Sequence, residues 1–265
     1  MIDTNLTGNR IKSFLAEGKR FDGRKLDEYR DLKIETGISK NAEGSARVRL
    51  GDTEVLVGIK MALGTPYPDS PDAGNMMVTA ELLPLSSPRF ENGPPKFPAI
   101  ELGRVIDRGI RESKYIDFKK LCIEEGEKVW TVFIDVYTIN DAGNLLDAAG
   151  IGAVAALQSA KMPKYDEKTG KVLFGDWTEN SIPLTKKAPL SITIHKIGKE
   201  LVLDPTRDEE DASETKVTVG LVEGVISSLQ KGEIETLTSE EMEKIFELAE
   251  KAWKETSLKI EKALK

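Results

Sequence analysis

Apolar and polar residues alternate with period two over residues 31–36, 45–50 and 53–61, and Gly51-Asp52 separates the last two runs. Such alternation puts every second side chain on one face of a pleated strand, and Gly-Asp between two runs is turn chemistry, so an antiparallel meander is predicted. Residues 64–72, GTPYPDSPD, read as a turn, and 76–85 returns to strand with Pro84 near its end. Pro88, Pro94, Pro95 and Pro98 keep the following loop irregular. A helix is predicted over 99–115, with Ile100, Val105, Ile106 and Ile110 toward one side and Arg104, Arg108 and Arg111 on another. Residues 129–139 are apolar on both faces in their middle, which predicts a buried strand, and the Ala- and Gly-rich run 145–160 predicts a helix lying close against a sheet.

Residues 161–187 mix Pro, Gly, Asp and Lys around Val172-Leu173-Phe174 and read as a hinge between two halves. Strand-like alternation resumes over 191–197, 200–203, 216–222 and 224–230. Thr238-x-x-Glu241 fits a capping box with Leu237 and Met242 as its hydrophobic staple, and the helix it opens carries Met242, Ile245, Phe246, Ala249 and Trp253 on one stripe. At the other end, Leu6, Ile11, Phe14 and Leu15 ahead of Gly18 predict a short amphipathic helix over 5–16. The order is α+β, with a second half that partly echoes the first. The expected units are an N-terminal helix and arm over 1–30, a first half over 31–165, a connecting segment over 166–187, and a second half over 188–265 ending in the long helix.

With 39% hydrophobic and 31% charged residues in 265, the chain is expected to fold as a soluble globular protein. Thirty-eight basic against forty-five acidic residues give a net charge of −7, which argues against non-specific coating by nucleic acid over the whole surface and leaves room for local basic stripes. A lone cysteine, Cys122, excludes an intramolecular disulfide and a multi-cysteine zinc site, and fits a reducing cytoplasm. No run of transmembrane length and no signal peptide is found, so a cytoplasmic location and no membrane partner are expected.

Gly150-x-Gly152-x-x-Ala155 matches a dinucleotide fingerprint, but that motif needs its glycines in a strand-to-helix turn, and here they lie inside a helical run. Close helix packing is the reading adopted. The acidic residues Asp204, Asp208, Glu209, Glu210, Asp211 and Glu214 lack the spacing of a cation-binding loop and read as a solvated turn. His195, the one histidine, alternates with Ile192, Ile194 and Ile197 and reads as structural, and Cys122 beside Leu121 and Ile123 reads as a small core hydrophobe. The arginines at i, i+4 and i+7 stay open between two readings: intrahelical pairs with Glu101, Asp107 or Glu112, or a ladder of planar donors for successive phosphates.

Four motifs in order span most of the chain: Arg20-Phe21-Asp22-Gly23-Arg24 with Glu28 and Arg30, GTPYPDSP at 64–71, IELGRVIDR at 100–108, and NDAGNLLDAA at 140–149. Together they resemble the RNase PH-like subunits of the RNA exosome, and within these the archaeal non-catalytic type. The resemblance implies an RNase PH-like fold: a duplicated β-α-β-α core like ribosomal protein S5 domain 2, plus a C-terminal helix. It also implies a hexameric ring of three heterodimers with a catalytic RNase PH-like subunit, RNA-binding cap subunits on one face, and single-stranded RNA degraded 3′ to 5′ by phosphorolysis. Arg104 and Arg108, with Arg111 as a third, would face the neighbour's active site and grip the RNA backbone. Active members of the family hold phosphate with Gly-Ser/Thr-Arg, where this chain has Gly143-Asn144-Leu145, and carry two aspartates six residues apart, where it has Asp211 and Val217. No catalytic residue, metal or cofactor of its own is therefore expected. The alternatives are an active phosphate-dependent exoribonuclease with relocated ligands, and a nucleotide-dependent small-molecule enzyme using the glycine-rich helix.

Overall fold

Alternating side chains need a partner surface for their apolar face, and the first three strands find it by pairing in sequence. The computed structural model describes residues 4–166 and 168–263. In it β1 (Leu32–Thr36), β2 (Gly44–Leu50) and β3 (Thr53–Gly64) form the antiparallel meander. β4 (Asn75–Glu81) leads through helix α2 (Phe97–Glu112) to the edge strand β5 (Cys122–Glu124) and the long β6 (Lys128–Asn140). β6 inserts between β3 and β4, antiparallel to one and parallel to the other, so the sheet order is β1-β2-β3-β6-β4. One face of this sheet, with Ala46, Val57, Ile59, Val132, Ile134 and Val136, is covered by α2 and by α3 (Leu145–Ser159).

The small residues of α3 have a steric cause. A Cβ on Gly152 would lie 2.7 Å from Val57 Cγ2, so the helix can approach β3 only with glycine there. The glycine motif is thus a packing device inside a helix. On its far side α3 meets a second antiparallel sheet of order β10-β9-β11-β12, built from β9 (Leu190–Ile197), β10 (Glu200–Leu203), β11 (Thr215–Val222) and β12 (Val225–Gly232). Helix α5 (Ser239–Ala263) covers the outer face of β9 and β11, with Ile245, Ala249 and Ala252 buried against Ile192, Ile194, Val217 and Val219. Its capping box is formed reciprocally: Glu241 N–H donates to Thr238 Oγ1 at 3.2 Å and Thr238 N–H to Glu241 Oε2 at 2.9 Å. Helix α1 (Thr4–Ala16) buries Ile11 and Leu15 against Ile197 and Val202, while the side chain of Leu6 lies outside the described residues.

Several local expectations change. The stretch read as a hinge holds a two-stranded hairpin, β7 (Lys161–Asp166) with β8 (Lys171–Ser181), whose Met162, Tyr165 and Val172 pack on the first core. It gave no alternation to read, because β8 is exposed along nearly all its length and Pro163 sits between two register shifts. The arginine helix starts at Phe97, with Pro98 in its first turn, where a missing N–H costs nothing. Ile100 is 47% exposed instead of sharing the apolar side, since it stands about 200° round the helix from buried Leu102.

The largest change concerns the acidic run. It is not a solvated turn: Asp204 is 0% exposed, Glu209 is buried, and the segment contains a short helix, α4 (Arg207–Asp211). The arginines of the N-terminal arm account for this. Arg20 donates from Nε and Nη2 to the two oxygens of Glu209 at 2.9 and 2.5 Å, and to the Asp204 carbonyl at 2.8 Å. Arg30 grips the Asp204 carboxylate at 2.9 and 2.7 Å while donating to the carbonyls of Ala142 and Gly143, both at 2.9 Å, and Arg24 reaches the same carboxylate at 3.1 Å. Asn144 Nδ2 donates to Asp204 at 2.9 Å and to Asp147 at 3.1 Å, and the Tyr29 hydroxyl donates to Asp147 at 2.6 Å. One buried polar network therefore ties the arm, the end of β10 and the start of α3 together.

Removing one member of a buried ion-paired set leaves charge without a counter-ion. Asp204→Ala is therefore expected to destabilise the chain by about 3–5 kcal/mol, measured by chemical denaturation. A second prediction concerns Asp147. Burial pushes its carboxyl up to about 6 from 3.8, against the hydrogen bonds from Tyr29 and Asn144 that pull it down. The folded chain then keeps a proton that the unfolded chain has lost, so this group removes stability as pH rises through that window. Relative to the parent chain, Asp147→Asn should gain on the order of 2 kcal/mol between pH 4 and pH 7, read as the change in the stability difference across denaturation curves.

Candidate nucleic-acid interface

Helix α2 buries Leu102, Val105, Ile106 and Ile110 and turns its arginines outward. The three are not equivalent. Arg111 is paired with Asp107 four residues earlier, at 2.8 Å, and lies over the Phe118 ring at 5.8 Å. Arg108 donates to Gln230 of β12 at 3.4 Å, a neutral partner. Arg104 is exposed and has no ion pair among the described residues. Glu101, which could have paired with it, is drawn to Lys216 of β11 instead, at 3.1 Å. Intrahelical pairing thus accounts for Arg111 alone, and two guanidinium groups on one helix face carry no carboxylate among the described residues.

Beside the first turn of α2 lies a cavity of about 780 Å³, walled by the proline-rich loop, Leu145, Leu146, α4 and β11. Its basic residues are all engaged by carboxylates of this chain. Arg89 holds Asp211 with both Nη atoms. Arg207 lies 3.2 Å from Asp141, 3.1 Å from Glu210 and 2.9 Å from Asp211. Lys216 pairs with Glu101 and, at 2.5 Å, Lys96 with Glu91. Burial works to raise the Asp211 carboxyl, but Arg89 and Arg207 outweigh it and hold the group below the usual carboxylate range. Asp211 is therefore an ionised structural partner, a poor proton donor.

The entrance to α3 is closed as well. Gly143 has φ 96° and its loop packs so tightly on 205–207 that a Cβ would lie 2.6 Å from the Pro205 carbonyl oxygen. Asn144 is buried, in the left-handed conformation, with its amide nitrogen engaged by Asp147 and Asp204. Its backbone N–H, which points out at the head of α3, donates to the Glu210 carboxylate at 3.2 Å. A helix N-terminus favours an anion, and here an internal carboxylate supplies it.

Val217 is 1% exposed and faces the second core, under α5. At the place of the second aspartate of active members, Val217 does not front the cleft, and strand period gives the reason: the residue of β11 that lines the cavity is its neighbour Lys216, paired across the sheet with His195. His195 is buried in β9 with Nδ1 3.1 Å from Ser213 Oγ. Burial, with Lys216 and Arg207 nearby, pushes its imidazole down to about 3, so it stays neutral and structural. Cys122 opens β5, half-buried after the buried Leu121. Arg89, Arg207, Lys216 and Gln230 were not singled out from sequence. Lys216 alone had a readable signal, as the one charged member of the alternation over 216–222.

Family models for the 3′ exoribonuclease family match this chain twice, domain 1 over residues 28–163 and domain 2 over 187–252. "Exosome complex component Rrp42" of Thermococcus kodakarensis is 49% identical over 257 residues, covering 96% of this chain and 94% of that protein. Among solved structures, a chain of the Archaeoglobus fulgidus exosome with RNA bound to the active site superposes with a TM-score of 0.90 at 39% identity, covering 98% of this chain and 99% of that one. A chain of an archaeal exosome core gives a TM-score of 0.85 at 36% identity, covering 97% of each. The duplicated architecture, the motifs and these likenesses agree: the chain belongs to the 3′ exoribonuclease (RNase PH) family and carries both of its domains.

Proposed function

We propose that this chain is a non-catalytic RNase PH-like subunit of an archaeal exosome, which alternates with a catalytic RNase PH-like partner in a hexameric ring of three heterodimers beneath RNA-binding cap subunits. In that ring it presents Arg104 and Arg108 to the backbone of single-stranded RNA undergoing 3′-to-5′ phosphorolysis, in the cytoplasm. Arg111, held by Asp107, sits at the edge of this contact as a weaker third donor. Phosphate contacts position a strand without reading its bases, so binding is sequence-tolerant.

The observation that carries the reading is the division of charge. Where inorganic phosphate would have to sit, the Glu210 carboxylate already occupies the N–H at the head of α3 and partners Arg207, while on α2 two exposed arginines lack carboxylate partners. A phosphorolytic site needs an open anion seat and a group able to move a proton. This cleft offers neither: its cations are paired and its one imidazole is neutral.

Two outcomes are expected. The purified chain alone, given RNA and inorganic phosphate, releases no nucleoside diphosphate, and the activity appears on adding the catalytic partner. In the assembled ring, Arg104→Glu with Arg108→Glu weakens RNA binding and flattens the dependence of log affinity on log salt by roughly 0.7 per lost contact. Diphosphate release by the isolated chain would disprove the first statement, and an unchanged salt slope in an intact ring the second.

A further inference from the structure

Arg104 has an acid three residues away on each side. Glu101 precedes it and Asp107 follows it, and side chains three apart on a helix are neighbours. Glutamate N-terminal to a cation is also the orientation favoured by the helix dipole. Left to the helix alone, Glu101 would close on Arg104 and neutralise it. The structure shows both acids drawn elsewhere, Asp107 to Arg111 and Glu101 to Lys216. The Glu101–Lys216 pair is well sheltered, with side chains 13% and 16% exposed. It is therefore less screened by water and salt than a contact with the exposed Arg104 would be.

We propose that Lys216 is a positioning residue for RNA binding: by holding Glu101 inside the cleft, it keeps the Arg104 guanidinium open to an RNA phosphate. Lys216 touches no RNA in this arrangement. It acts from β11, through one carboxylate, on a helix from the other half of the chain. Without its ammonium, Glu101 would be left in the cleft with no counter-ion, and its nearest remedy is Arg104. The strand would then lose a phosphate contact and gain a negative charge beside the next phosphate. The inference rests on the reading of Arg104 as a phosphate contact, and the experiment separates the two.

The test uses the ring assembled with its catalytic partner and a labelled single-stranded oligoadenylate in phosphate-free buffer, so that binding is read without turnover. Lys216→Met is expected to weaken binding about two- to fivefold and to flatten its salt dependence, while Lys216→Arg binds as the parent does. The decisive variant is Lys216→Met with Glu101→Gln, which removes the competing charge and should restore parental affinity. A purely structural role for the ion pair would leave the double variant as weak as the single one, and that result would overturn the proposal. So would parental binding by Lys216→Met in a ring that Arg104→Glu weakens. Should Arg104→Glu itself bind as the parent does, the reading of α2 fails and this inference with it. Lys216→Gln makes the same comparison if the methionine variant does not assemble.

Discussion

The carboxylate of Asp204, shut away from water, is the point on which the two halves of the chain converge. A desolvated carboxylate is tolerable only with its lone pairs filled, and Arg24, Arg30 and Asn144 fill them. Those donors serve two tasks. Arg24 and Arg30 anchor an arm that otherwise has little core of its own, and Arg30 also satisfies two carbonyls of the loop entering α3. Asn144, at the same entrance, spends both amide hydrogens on internal carboxylates. The loop that a phosphate would need is thereby converted into a structural joint. On the proposed reading, a closed anion seat and a stable fold are two results of one set of hydrogen bonds.

The same logic governs the cleft. Its lining carries six carboxylates against four cations, each of which has a carboxylate within pairing distance, so every cation is neutralised locally and the cavity keeps no surplus positive charge for an anion. Outside it, α2 breaks the balance. A helix two of whose three acids are drawn aside, Glu101 to Lys216 and Asp107 to Arg111, leaves a short positive edge on a protein of net charge −7. That edge is compatible with the overall charge because the Debye length is about 8 Å at physiological salt. Acids farther away are screened, and the potential near Arg104 is set by the residues of one helical turn.

Sheet and helix periods were legible wherever one face of an element is buried. β1 to β3, β6, α3 and the capping box of α5 are where the alternation, the small residues and Thr238-x-x-Glu241 predict them. β7 and β8 were not legible, because a strand exposed on both faces has no binary pattern, and its pairing comes from a neighbour. The acidic run misled for a different reason. Charge density in a sequence says nothing of partners, and the arginine partners of Asp204 and Glu209 come from 174 to 189 residues away. Val217 and Lys216 show how fine the limit is: counting six residues on from Asp211 lands on a core position, and in a strand the next residue is on the opposite face.

The arginine row joins these limits. From spacing alone its two readings were level, since Glu101 and Asp107 are as close in sequence to Arg104 as to their actual partners or closer. What separates them is competition between counter-ions, a tertiary property. The sheltered ammonium of Lys216 wins Glu101, and Arg111, braced on Phe118, wins Asp107 in the more favourable Glu/Asp-before-Arg order at four residues. Arg104 is free because other cations are better placed for the two acids beside it, and Arg108 turns to the neutral Gln230. An interface for a polyanion can therefore arise on an acidic protein without any added positive charge. It requires only that the existing negative charge be drawn inward, and the strand that draws it belongs to the half of the molecule that carries no arginine of the row.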